Sequence, residues 1–191
     1  MSHPSFVAYI IGPTNSGKTT LMDLANKDPR IGTIEVGKYM RAKYPPSYFK
    51  GQGNPKHTAD EAWQVYEDQL AAHEAAGKIL ILADGQPRDT KQAHQVLADT
   101  RHEDSRVFIH MWAPTEVLLE RAHRRDGADP ERLALSTARL VSDMPAVYNV
   151  LSILLGAGKI APIVHVDTSQ AAYRAESLLN NLYTTAEHHV D

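Results

Sequence analysis

Eight residues near the N-terminus have the types and the spacing of a phosphate cradle. The pattern G-x-x-x-x-G-K-[ST] is matched by Gly12-Pro13-Thr14-Asn15-Ser16-Gly17-Lys18-Thr19. Its glycines let backbone N–H groups turn towards phosphate oxygens, and a helix that starts there adds positive partial charge. Lys18 is placed to reach the β- and γ-phosphates, and Thr20 would add an α-phosphate contact. The segment therefore predicts an ATP site that spans residues 12–20.

A carboxylate that could accompany this loop ends a second apolar run. Asp84 follows Ile81-Leu82-Ala83, so it is expected at the end of a buried strand. Mg²⁺ prefers oxygen ligands and bridges the phosphates in phosphoryl transfer. We therefore expect Mg²⁺ as the cofactor of bound ATP, held by the Thr19 hydroxyl and the Asp84 carboxylate.

Cations are plentiful in the chain, whereas no second carboxylate stands out as a base. Phosphoryl transfer depends mainly on positioning and on neutralising the charge of the moving group, and arginine does both. An acceptor that is itself a phosphate needs no base, because its oxygen is already ionised. These features favour a phosphate acceptor. The available cations are Lys18, Arg41, Arg88, Arg121, Arg124, Arg125, Arg132 and Arg139.

The chain alternates short apolar runs with helical patterns, which predicts the scaffold for these residues. Strands are predicted at residues 5–11, 79–83, 106–112 and 163–166. Helices are predicted at residues 19–25, 37–44, 58–77, 90–98, 114–122, 131–155 and 169–183. This alternation is typical of a parallel sheet covered on both faces. We expect one α/β domain over residues 1–191, with three layers, a five-stranded parallel sheet and the fold of P-loop NTPases.

Several segments resemble the adenylate kinase family of nucleoside monophosphate kinases, in the same order along the chain. Gly37-Lys38-Tyr39-Met40-Arg41 is similar to the family's glycine-x-x-x-arginine element. Asp84-Gly85-Gln86-Pro87-Arg88, with Gln92 four residues on, is similar to its Asp-Gly-aromatic-Pro-Arg segment. Residues 113–125 resemble the strand exit and helix that lead into the lid, and residues 164–167 resemble the last strand.

The resemblance implies a function and a set of site residues. It implies transfer of the ATP γ-phosphoryl to a nucleoside or deoxynucleoside monophosphate, AMP among the candidates. It also implies an acceptor-binding insertion at residues 35–78 and a short lid at residues 122–132. The implied catalytic residues are Lys18, Arg88, Arg121, Arg125 and Arg139. The implied acceptor-binding residues are Val36, Gly37, Arg41, Gly85, Gln86, Arg88 and Gln92.

Three positions differ from the family pattern and leave the acceptor base open. Val36 replaces a hydroxyl residue, Lys38 replaces a common acid, and Gln86 replaces an aromatic residue. Two other functions therefore stay in view. One is a P-loop kinase of a small hydroxyl metabolite, which would need Asp23 or Asp84 as a base. The other is a nucleotide-binding protein without turnover.

The composition of the chain narrows the possible classes of function further. The formal net charge of −3 and the pI near 6.4 give no basic field, so nucleic acid is not an expected partner. The chain has no cysteine, which excludes thiolate metal sites and disulfides. The ten histidines form no ligand pattern, and no apolar run reaches the length of a membrane span. A cytoplasmic monomer that binds ATP and a nucleoside monophosphate is the expectation.

Overall fold

The computed structural model describes residues 5–44, 56–158, 162–170 and 173–190, with side chains except at 56–59 and 190. Five parallel strands form one sheet in the order β2-β3-β1-β4-β5. The predicted α/β architecture with a five-stranded parallel sheet is confirmed. The strands are β1 Phe6–Ile11, β2 Ile31–Glu35, β3 Leu80–Asp84, β4 Arg106–Trp112 and β5 Ile163–Asp167.

Seven α-helices and a 3₁₀ turn at Thr100–His102 lie within the described residues. The connection between the fifth and sixth of these helices, residues 127–129, is shorter than the gap at residues 123–130 that the predicted helices leave. The helices are α1 Lys18–Ala25, α2 Val36–Lys43, α3 Lys56–Ala75, α4 Thr90–Ala98, α5 Thr115–Asp126, α6 Pro130–Gly156 and α7 Ala175–Val190.

Strand β2 had no counterpart among the four predicted strands. Its sequence, Ile-Gly-Thr-Ile-Glu, contains a glycine, which weakens a strand pattern. The glycine is required by packing, because a Cβ atom at Gly32 would lie 2.8 Å from Cγ of His73 on α3. β2 pairs with β3 along its whole length, so the tertiary contacts with β3 and α3 compensate for the weak local propensity.

Two helix starts differ from the prediction by more than one residue. α3 begins at Lys56 rather than at residue 58. α7 begins at Ala175 rather than at residue 169 and continues to Val190. Ser169 instead donates its N–H and its hydroxyl to Asp167, which shapes the turn after β5. Residues 45–55 of the predicted acceptor-binding insertion lie outside the described residues.

The core lies on both faces of the sheet because the sheet is covered by helices on each side. All six residues of β1 are buried. Ala8 and Ile10 pack with α1 and α7, whereas Val7 and Tyr9 pack with α3, α4 and α6. A third, smaller cluster of Ala113, Leu118 and Leu140 joins α5 to α6. The two faces make the three-layer arrangement that carries all the loops at the carboxyl edge of the sheet.

Helix α6 is long enough and apolar enough to cross a bilayer, by length and composition, and it alone is so among the described helices. The core helix of a soluble protein passes the same test. α6 packs on the sheet through Val150 and Leu154, which belong to the core of that face. Its polar residues Arg139 and Asp143 line a cleft described below.

Two tyrosine hydroxyls form a buried hydrogen bond between β1 and α3. Tyr9 Oη and Tyr66 Oη are 2.7 Å apart, and both residues are about 1% exposed. Burial raises the pKa of both phenols, so both stay neutral. Tyr9 also stacks on Phe108, with the ring centroids 5.0 Å apart. Trp63, Tyr66 and Leu70 lie on the inner face of α3, which packs in the core on this side of the sheet.

Tyr66→Phe is expected to lower the free energy of unfolding by about 1–2 kcal/mol, because it leaves the Tyr9 hydroxyl buried without its partner. The double variant Tyr9→Phe/Tyr66→Phe should lose clearly less than the sum of the two single variants, since no orphaned hydroxyl remains. Urea denaturation of the four proteins measures this coupling. Additive losses would show that the two hydroxyls do not interact.

A pair of histidines on β4 and β5 should make stability depend on pH. His110 and His165 are register partners, with their Nδ1 atoms 3.0 Å apart. Burial, and then His165, lowers the pKa of His110 to about 4. The unfolded chain binds this proton near pH 6.5 but the folded chain does not, so stability is full above pH 6.5 and declines towards pH 4.

His110→Gln should therefore flatten the loss of stability between pH 7 and pH 5. The expected difference is about 1 kcal/mol, reduced from the full linkage value because water reaches the pair. Urea midpoints at the two pH values give the measurement. His94→Gln, on the exposed side of α4, is the matched control and should keep the wild-type slope.

Candidate functional site

The phosphate cradle predicted at residues 12–20 lies between β1 and α1, as its motif requires. Asn15 and Gly17 have positive φ angles of 68° and 95°, which curl the loop at the start of the helix. A Cβ atom at Gly12 would lie 2.2 Å from the carbonyl oxygen of Met111 on β4. Only glycine fits there, because the loop passes directly over the neighbouring strand.

The Lys18 ammonium lies inside the loop. Its Nζ donates hydrogen bonds to the carbonyl oxygens of Gly12 at 2.6 Å and Pro13 at 2.8 Å. Burial lowers the pKa of Lys18, while Asp84 and Asp143 act in the opposite direction. Neighbouring carboxylates thus support the charged form, which can move from its own loop carbonyls to a phosphate.

Asp84 and Thr19 form an arrangement that fits Mg²⁺. Asp84 ends β3 beside β1, and its Oδ1 is buried with no hydrogen-bond partner among the described residues. Burial raises the pKa of this carboxyl, and Lys18 and Arg88 lower it. Thr19 is exposed and lines the same cleft. A buried carboxylate oxygen without a partner among the described residues and a hydroxyl that lines the same cleft are oxygen ligands of the kind that a divalent cation and its waters take.

Three arginines without carboxylate partners surround the next part of the cleft. A Cβ atom at Gly37 would lie 3.2 Å from Nη1 of Arg41 and 3.4 Å from Nη2 of Arg88, so the two guanidinium groups converge there. Burial lowers the pKa of Arg41, and Arg139 and Arg88 lower it further by repulsion. None of the three arginines forms an ion pair with any residue that the structure describes.

The other candidate arginines form hydrogen bonds or ion pairs with neighbouring residues. Arg121 donates to the carbonyl oxygen of Asn15 at 3.1 Å and to Thr168 Oγ1 at 2.9 Å, which joins α5 to the cradle and to the turn after β5. Arg125 pairs with Asp126 and donates to Ser136 at 2.8 Å. Two further candidate arginines, Arg124 and Arg132, pair with Glu120 and Asp129. Of these two, Arg132 lines the cleft.

Predicted acceptor residues divide into two groups. Gly37, Arg41, Gly85 and Arg88 line the cleft. Val36, Gln86 and Gln92 are instead buried below its surface. Val36 packs in the core, and Gln92 Oε1 accepts a hydrogen bond from the backbone N–H of Arg88 at 2.7 Å. In this structure these three side chains support the wall of the cleft rather than line it.

Asp143 is a site residue that sequence reasoning missed. Its Oδ2 accepts hydrogen bonds from the Thr14 N–H at 3.1 Å and from the Thr14 hydroxyl at 2.6 Å. It lies one helical turn after Arg139 on α6, so both face the cleft. That spacing was the available signal, but 129 residues separate Asp143 from its partner and no local pattern links them.

All these groups line one cleft of about 1070 Å³ at the carboxyl edge of the sheet. Residues of the predicted lid border the cleft where α5 ends and α6 begins. Thr168 and Tyr173 also line the cleft, and the buried Tyr173 hydroxyl has no hydrogen-bond partner among the described residues. The cleft is large enough for a nucleotide and a second small ligand, since typical ligand pockets measure roughly 300–1,000 Å³.

The fold is similar to that of an unliganded sugar kinase from a Janibacter species, with a TM-score of 0.63. The similarity covers 95% of this chain and 94% of that chain, at 17% sequence identity. No protein-family model matches the chain, and no curated protein matches it at a significant level. At this sequence identity the comparison supports the fold alone. The chain has a kinase-like α/β fold.

Proposed function

We propose that the chain is an ATP-dependent phosphotransferase whose acceptor carries a phosphate group, namely a nucleoside monophosphate. The observation that carries the proposal is the convergence of Arg41, Arg88 and Arg139 without a carboxylate partner among the described residues. Guanidinium groups bind phosphate through paired N–H donors, and such charge-assisted hydrogen bonds are the strong ones.

Electrostatics favours an anionic acceptor over a neutral one. Burial lowers the pKa of Arg41 first, and repulsion from the nearby Arg139 and Arg88 lowers it further. A doubly charged phosphate between them would remove that repulsion and satisfy their donors. A neutral sugar would leave the guanidinium groups unpaired, so it would gain little from this part of the cleft.

Each element of the site would have a distinct task. The loop N–H groups and Lys18 would bind the ATP phosphates, and Arg121 and Arg125 would neutralise charge on the side of α5. Thr19 and Asp84 would hold Mg²⁺, which supplies charge neutralisation at the β- and γ-phosphate oxygens. The acceptor oxygen is already ionised, so no residue of the chain has to remove a proton.

Water must be excluded while the phosphoryl group moves. The end of α5 and the start of α6, within residues 122–132, border the cleft beside the proposed ATP loop. We assign them as the lid, because closing them over ATP would prevent hydrolysis. The insertion at residues 35–78 would close over the acceptor from the other side, since α2 carries Arg41.

A second candidate is a kinase of a small hydroxyl compound, and one observation favours it. Glu35 at the end of β2 is the register partner of Asp84, which places two carboxylates side by side at the carboxyl edge. Of the two carboxylates only Asp84 lines the cleft, whereas Glu35 accepts hydrogen bonds from Lys38 and Asn26, so Asp84 would be the group that accepts a proton from a hydroxyl. Asp23, the other base considered from sequence, is exposed on α1 and does not line the cleft.

A panel of acceptors separates the candidates. ADP release from Mg-ATP should rise at least about 100-fold over the acceptor-free rate with one or two ribo- or deoxyribonucleoside monophosphates. Lys18→Ala should abolish that rate with the fold intact by circular dichroism, and Arg124→Ala, outside the cleft, should not. Turnover with sugars or sugar acids alone would favour the second candidate. If no acceptor stimulates ADP release and ATP still binds, the result would indicate a nucleotide-binding protein without turnover.

Arg139→Ala should lower kcat/KM for the acceptor by about 10²–10³-fold, because it removes one of three charges from the proposed phosphate site. The KM for ATP should change little. Initial rates at varied acceptor and saturating ATP give the measurement. Arg132→Ala serves as the comparison, since Arg132 lines the cleft but pairs with Asp129. Equal losses in both variants would contradict a special role for the unpaired arginines.

Asp143 should act as a positioning residue, because it ties the ATP loop to the helix that carries Arg139. Asp143→Ala loses both hydrogen bonds to Thr14 and should raise the KM for ATP about 10-fold, whereas Asp143→Asn keeps an acceptor oxygen and should raise it about 2–3-fold. Ser142→Ala, on the exposed side of α6, is the control. Wild-type KM values in both Asp143 variants would refute the role.

A further inference from the structure

A closed set of hydrogen bonds joins the end of α5 to α6. Arg125 donates from Nε and Nη2 to the carboxylate of Asp126, with Nη2 2.6 Å from Oδ2. Nη2 also donates to Ser136 Oγ at 2.8 Å, and the Ser136 hydroxyl in turn donates to Asp126 Oδ2. Each of the three side chains therefore restrains the other two. We call Arg125, Asp126 and Ser136 the Arg125 triad.

The two acceptors of the triad are shielded from water, unlike the partners of the other lid arginines. Ser136 is 7% exposed and the Asp126 side chain is 11% exposed. The side chains of Arg124 and Arg132 are each 76% exposed, and so are more than half of their partner carboxylates. Pairs between exposed, flexible side chains add little order, whereas hydrogen bonds to a shielded carboxylate are strong. The arginine of the triad is therefore held in a defined orientation.

The triad uses part of the guanidinium and leaves the rest free. Hydrogen bonds from Arg125, and then from Ser136, lower the pKa of Asp126 to about 2, so the acceptor stays charged. Nη1 of Arg125 has no hydrogen-bond partner among the described residues, and Arg125 lines the cleft. Guanidinium N–H groups are strong donors to phosphate oxygens. One end of the arginine is thus fixed, and the other can bind an anion.

The position of the triad lies between the two parts of the site. One helical turn before Arg125 on α5, Arg121 donates to the backbone of the loop at residues 12–20. One turn after Ser136 on α6, Arg139 lies near the other arginines of the proposed acceptor site. All of these residues line the same cleft. A guanidinium between them would meet a phosphoryl group that passes from the loop to the acceptor.

We propose that Ser136 and Asp126 are positioning residues, which hold Arg125 so that its free Nη1 end meets the terminal phosphate of ATP. This inference rests on the proposed function, because the phosphate in question is the one that ATP would transfer. An arginine that is already oriented loses less conformational freedom when the phosphate binds. Ser136 would therefore influence the rate through Arg125, and it would influence the affinity for the acceptor little.

A double-mutant cycle tests whether Ser136 acts through Arg125. Arg125→Ala should lower kcat about 10²-fold and Ser136→Ala about 5–10-fold, with the acceptor KM within about 2-fold of wild type. The double variant should be no slower than Arg125→Ala alone, because Ser136 then has no arginine to hold. A merely structural link between α5 and α6 would instead give additive losses. Thr137→Ala removes a hydroxyl bonded within α6 and should keep the wild-type kcat.

Nucleotide binding gives a second readout that needs no acceptor. Isothermal titration calorimetry with Mg²⁺ compares an ATP analogue that has a non-hydrolysable imido bridge with ADP. Arg125→Ala should reduce the preference for the triphosphate about 10-fold and Ser136→Ala about 3-fold, and the double variant should match Arg125→Ala.

The two readouts separate this inference from the proposed function. A wild-type chain that binds both nucleotides but phosphorylates no monophosphate would refute the proposed function, and the binding ratios would still decide on the triad. Additive losses in the double variant, or a wild-type ratio in either single variant, would overturn the role of Ser136 and Asp126.

Discussion

Positive charge concentrated at the carboxyl edge of the sheet is the constraint on which the site depends. Lys18, Arg41, Arg88 and Arg139 face one cleft, and the nearby carboxylates Asp84 and Asp143 offset only part of their charge. Parallel strands make this possible, because every strand ends at the same edge and every loop there can contribute a side chain. The remaining imbalance is what an anionic ligand would neutralise.

Packing holds these charges in position from below. Val36, Gln86 and Gln92 are buried under the cleft, and the hydrogen bond from Gln92 to the Arg88 backbone fixes the segment that follows β3. α6 connects the two halves, since Asp143 contacts the loop of residues 12–20 and Arg139 lies near Arg41 and Arg88, with no ion pair among the described residues. A shift of α6 would therefore alter both halves together.

Sequence patterns predicted the α/β class, the phosphate cradle and strands β1, β3, β4 and β5, because each depends on residues close together in the chain. They missed β2, whose Gly32 weakens the local signal and whose stability comes from β3 and α3. They also missed Asp143, because its partner Thr14 lies 129 residues away. Resemblance to a family indicated Arg41 and Arg88 but could not say that Val36, Gln86 and Gln92 would be buried.

The sequence by itself determined the chemistry that the chain can offer: a glycine-rich loop with Lys18, a carboxylate at the end of an apolar run, and a surplus of arginines without cysteine. Only the tertiary structure decided how the arginines pair: among the described residues, Arg121 and Arg125 acquire partners in the fold, and Arg41, Arg88 and Arg139 form no ion pair. Pairing depends on distances between elements far apart in the chain, and burial together with helix packing sets those distances.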